Sequence, residues 1–163
     1  MDTVRSTRGE PRPLWLTAGI LGLLYALLTF VQLIVWWIEF GWTMTFPEDP
    51  LMIVGGLLAA LAGVLALMRL TVGVPWLLLG SLLFTEILAR ALSMTGWYWI
   101  WPWEFAASYE ANSEMFGSNF ILVWILRGTA PYVILVATVL AIIALLLKDR
   151  ADSPVTGQPS ESV

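Results

Sequence analysis

The sequence predicts an all-α integral membrane protein, a four-helix bundle with both termini in the cytoplasm. Three observations carry that prediction. The chain of 163 residues is 59% hydrophobic and only 12% charged, which is more apolar surface than one small water-soluble core can hide. Its apolar residues fall into four long runs, each near or above the ~20 residues needed to cross a ~30 Å hydrocarbon layer. Outside those runs, lysine and arginine occupy alternate connections, and the others carry only acidic charge.

Residues 1–13 are polar, contain Arg5, Arg8 and Arg12 with Pro11 and Pro13, and read as a short disordered tail. The run from Leu14 to Ile38 is too long for the apolar region of a signal peptide and lacks a small-residue cleavage site, so it is expected to be an uncleaved first span. Leu51–Met68, Val74–Met94 and Phe120–Leu147 supply the second, third and fourth spans of a 14–147 transmembrane domain. Backbone polar groups find no water in lipid, so each span should be an α-helix. Residues 148–163 are polar and proline-containing and read as a second disordered tail.

The N-terminal tail, the turn at Arg69 and the C-terminal segment at Lys148 and Arg150 hold the basic residues that lie outside the runs. The connections Gly41–Pro50 and Thr95–Asn119 hold none, but carry Glu48, Asp49, Glu104, Glu110 and Glu114. Cytoplasmic connections are enriched in basic residues, so both termini and Arg69 are expected inside the cell. The plasma (inner) membrane of a prokaryote is the expected location.

Trp36, Trp37 and Trp42 fall at the outer end of span one, and Trp97, Trp99, Trp101 and Trp103 lie just beyond span three. Their amphipathic rings suit an external belt at the membrane–water boundary. Beyond Pro102, the residues Phe105, Tyr109 and Phe116 share one helical face, which predicts a short amphipathic helix on the outer surface. Its role is to anchor the loop, to cover the bundle, or to offer a platform to a partner.

Ala18, Gly22 and Ala26 recur every fourth residue on span one, as do Gly55, Ala59 and Gly63 on span two. Such spacing lets helix backbones approach closely. The faces should join the two spans within one chain, or form an interface between chains.

Candidate functional residues are the charges inside the spans. Glu86 lies near the middle of span three, and Arg90 is one turn further out on the same face, roughly 6 Å away along the axis. Pro131 should kink span four and bring Arg127 to a similar depth, because it removes the hydrogen bond to the Arg127 carbonyl. Buried charges pair, or face a polar interior. Glu39 and Gln32 on span one complete the candidate set, with Trp36, Trp97, Trp99, Trp101 and Trp103 around it. If Glu39 joins, two carboxylates balance two guanidiniums and the cluster is structural. If it does not, a positive charge is left that an anion can answer.

The chain has no cysteine and no histidine, which removes disulfides, thiol nucleophiles, most transition-metal sites and the commonest general base. No nucleophile–base pair is visible, so no enzymatic activity, cofactor or metal is expected. The net charge of -4, without a large basic patch, argues against nucleic acid. Tryptophan content resembles that of the tryptophan-rich sensory proteins. The first loop, Gly41-Trp-Thr-Met-Thr-Phe-Pro-Glu-Asp-Pro50, lacks their proline-tryptophan-rich pattern, so no family follows. The expected function is that of a binding or accessory subunit, engaging an anionic lipid-like ligand or a partner membrane protein. Membrane lipids, further copies of the chain or a larger membrane complex are its expected partners. The alternative is a small oligomeric proton- or ion-coupled transporter or channel that uses Glu86.

Overall fold

An apolar chain satisfies its backbone internally by winding into helices, and helices are the regular elements found among the described residues. The structure is a computed structural model that describes residues 11–39, 48–92 and 120–152. Helix α1 spans Arg12–Glu39 and begins two residues before the expected Leu14. The Pro11 carbonyl accepts the N–H groups of Leu14 at 3.0 Å and Trp15 at 3.2 Å. Pro13 sits in the first turn, where a missing N–H costs nothing.

Helix α2 spans Glu48–Leu67, which moves Glu48 and Asp49 out of the expected outer loop and into the first helical turn. Two acidic residues followed by Pro50 suit a helix start, where the free N–H groups carry partial positive charge. Hydropathy alone misses such a boundary, because these three residues are not apolar.

Helix α3 (Val74–Leu82) opens with Pro75 and runs directly into a π-helical segment, Leu83–Ala89, followed by the short α4 (Arg90–Leu92). The sequence reading expected a plain α-helix here. Helix α5 (Phe120–Asp152) is 33 residues long, is not interrupted at Pro131, and continues past Leu147 into the segment expected to be a disordered tail. Arg150 in its last turn complements the partial negative charge at a helix end.

Among the described residues three helices are long and apolar enough to cross a membrane: α1, α2 and α5, the last over Gly128–Arg150. Val74–Ala89 is a shorter apolar helix. On α1, Trp15 and Trp36 are 21 residues apart, or about 32 Å along the axis, which matches the hydrocarbon thickness.

Helix α1 packs on α2 and α5, α2 packs on α3 and the π-helical segment, and α3 packs on α5. The interior is lined by small residues, including Ala18, Ala59, Ala62, Ala137, Ala141 and Ala144, all fully buried. Large side chains such as Leu16, Ile20, Leu24 and Leu27 face outward instead. Water would oppose that sorting, whereas lipid permits it, since helices in lipid associate by close packing rather than by hiding leucines. A Cβ added to Gly63 would lie 2.8 Å from the Gly19 carbonyl oxygen, and one added to Gly22 would lie 3.2 Å from that of Ala59. Gly22, Ala59 and Gly63 of the predicted small-residue faces therefore join α1 to α2 inside one chain, whereas Gly55 faces Thr85 and the Ser81 carbonyl.

Candidate functional site: a buried polar node between α1 and the π-helical segment

Halfway along α1, Tyr25 is fully buried, with its hydroxyl turned to the third helical segment. It donates a hydrogen bond to Oε1 of Glu86 at 2.8 Å. The same hydroxyl lies against Oγ1 of Thr85. Thr85 in turn reaches back one turn, its Oγ1 donating to the Ser81 carbonyl at 2.7 Å. Glu86, Thr85 and Ser81 are all buried.

The π-helical turn favours this convergence. Adjacent residues of a regular α-helix diverge by about 100°, and a wider turn with more residues narrows that angle. In the wider segment both are buried and both meet one hydroxyl. Segments of this kind frequently mark functional positions. Gly55 of α2 makes room on the other side, since a Cβ there would collide with the Thr85 methyl and sit 3.1 Å from the Ser81 carbonyl oxygen.

Tyr25 was missed by sequence reasoning, which started from the intramembrane charges and added only Gln32 and the boundary tryptophans. The available signal was a single tyrosine in the middle of an apolar span, since a buried phenol needs a partner. For the π-helical turn we find no signal, because Leu83–Ala89 contains neither glycine nor proline.

Gln32 and Trp36 line a small crevice with Leu33, Glu48, Asp49 and Met52, at the end of α1 where α2 begins. Glu48 is 7% exposed and Asp49 only 2%, so the outer-loop placement is corrected for both. Trp37, read only as a belt residue, donates its indole N–H to Oδ2 of Asp49 at 2.8 Å. That bond ties the end of α1 to the start of α2 and gives the second carboxylate a local reason for its burial.

For Glu39, Arg90 and Arg127 the structure describes the backbone alone, in α1, α4 and α5 respectively. Trp97, Trp99, Trp101, Trp103 and the expected amphipathic outer helix lie outside the described residues. Among the described residues there is no group of three potential metal ligands.

Three membrane-length apolar helices around a buried polar node suggest a helical membrane protein. No family model, no curated protein and no solved structure matches the chain.

Proposed function

We propose that the chain crosses the plasma membrane of a prokaryote four times, the third time through Val74–Leu92, with both termini in the cytoplasm. In this reading it is a non-enzymatic binding or accessory subunit. Its intramembrane polar cluster, Glu86 with Arg90 and Arg127, opens outward and engages an anionic lipid-like ligand or a partner membrane protein. The observation that supports the reading is the buried Glu86: Tyr25 holds one carboxylate oxygen from α1, as suits an intramembrane anion that answers cationic groups.

A carrier needs a polar path to both faces. The close approach of Gly19 and Gly63, and the buried Ala137, Ala141 and Ala144 on α5, support a closed, apolar inner half instead. That favours binding over transport.

Native mass spectrometry of the protein from nanodiscs tests the proposal. Arg127→Gln should fold like the parent, because Tyr25 still donates to Glu86, yet lose the copurifying lipid or partner. Glu86→Gln should lose stability instead. Retention of ligand and partner by a folded Arg127→Gln variant would overturn the binding role. Cysteine labelling tests the orientation separately. A cysteine at Val72, which is 70% exposed, should resist an impermeant thiol reagent on whole cells, and one at Ser113 should react.

A further inference from the structure

At the opposite end of α2 the chain closes the helix with two reversed bonds, Leu70 N–H to the Leu65 carbonyl at 2.9 Å and Arg69 N–H to that of Ala66 at 3.2 Å. This closure requires one residue in the left-handed region, and that residue is Arg69, at φ 66°. Glycine meets the requirement without strain, yet an arginine occupies the position. Strained backbone of this sort is a reason to look for function.

Beside Arg69 is a cavity of about 230 Å³, walled by Arg12, Trp15 and Leu16 of α1 and by Ala66, Leu67, Arg69 and Thr71. Its lining holds two guanidinium-bearing residues and no carboxylate among the described residues. Trp15 is 3% exposed, and its buried indole N–H has no acceptor among the described residues. The site therefore brings two cationic side chains and the Trp15 side chain to one place.

The surroundings identify the source of an anion. Met68, Leu70, Val72 and Trp76 flank the arginine in sequence and are each more than half exposed. Such a turn is poorly suited to water, whereas the headgroup boundary of a bilayer accommodates apolar and tryptophan side chains together. An anion arriving at this depth comes attached to a lipid.

We propose that this cavity seats the phosphate of an anionic phospholipid headgroup, with Arg12 and Arg69 as its two cationic walls. The planar guanidinium fork matches phosphate oxygens in pairs, which an ammonium does not. The site is separate from the Glu86 node, and its assignment does not depend on what that node binds.

The full chain in detergent, titrated with phosphatidylglycerol or phosphatidylcholine and read by native mass spectrometry, tests the proposal. The parent should prefer phosphatidylglycerol, and each of Arg12→Gln and Arg69→Gly should weaken that preference roughly fivefold. Arg69→Gly also relieves the backbone, so its lipid-free form should melt no lower than the parent. Arg69→Lys should recover only part of the preference. Millimolar inorganic phosphate should leave phosphatidylglycerol retention unchanged. Displacement by inorganic phosphate would overturn the lipid source, and an unaltered preference in the Arg12→Gln/Arg69→Gly double variant would overturn the site.

Discussion

Tyr25→Phe isolates a single oxygen. Phenylalanine keeps the ring and its packing, so no cavity forms, and what disappears is the 2.8 Å bond to Glu86 together with the contact to Thr85. Hydrogen bonds between neutral groups of membrane helices contribute ~0.6 kcal/mol on average and at most ~1.7. Bonds to a charged group contribute ~1.5–3 kcal/mol. Both residues are buried deep between helices, with Tyr25 fully buried and Glu86 8% exposed, so solvent cannot replace the lost donor. The expected cost is therefore about 2 kcal/mol, near the charged-group range. Reversible unfolding in mixed micelles, with denaturing detergent as the variable, measures it. Glu86→Gln keeps an acceptor but removes the charge, so in that background Tyr25→Phe should cost only about 0.6 kcal/mol. A Tyr25→Phe variant within ~0.3 kcal/mol of the parent in both backgrounds would refute the node, since differences of that size lie within ordinary additivity error.

Gly63→Ile should destabilise the protein by ~1–3 kcal/mol or prevent folding, because the branched side chain meets both the Leu23 side chain and the Gly19 carbonyl, and the carbonyl cannot swing aside; the same unfolding titration reads it. An equal melting point for Gly63→Ile and parent would place that face on lipid. Trp37→Phe should cost ~1–3 kcal/mol by removing a donor to the buried Asp49, whereas Asp49→Asn, which still offers an acceptor, should cost less than ~1 kcal/mol. The reverse ranking in thermal melts would show that the acid, not the indole bond, holds the α1–α2 connection.

Much of the helical content was legible because lipid leaves the backbone one economical solution, and apolar runs report where it applies. The small-residue faces were legible for a related reason: Gly22, Ala59 and Gly63 matter through what they lack, and spacing alone reveals it. The start of α2 was not, since Glu48 and Asp49 look like loop residues until Trp37 is placed beside them. That pairing joins positions 12 residues apart across a connection, beyond any local pattern. Tyr25 and Glu86 are 61 residues apart, and nothing local to either marks the other as its partner. The π-helical turn that lets Thr85 share the same hydroxyl belongs to the packed state, in which Gly55 yields space to Thr85.

Packing and polarity thus meet at one residue, and Gly55→Ala separates this account from one in which the glycine face and the polar node are independent. An added methyl would overlap the Thr85 side chain and press on the Ser81 carbonyl oxygen at 3.1 Å. Thr85 cannot rotate away freely, because its hydroxyl is held by that same carbonyl at 2.7 Å. The π-helical segment must then move from α2 as a unit, and its displacement alters the reach of Glu86 to Tyr25. Gly55→Ala should therefore cost ~1–3 kcal/mol as overpacking and, beyond that, reduce the energy coupling of Tyr25→Phe with Glu86→Gln. Gly80→Ala is the control on α3, since its Cβ would meet Leu58 at an ordinary 3.4 Å and does not touch Thr85. It should leave the coupling intact. If Gly55→Ala lowers stability but the Tyr25–Glu86 coupling keeps its parental value, close packing holds the helices without setting the geometry of the carboxylate, and the two features are separate.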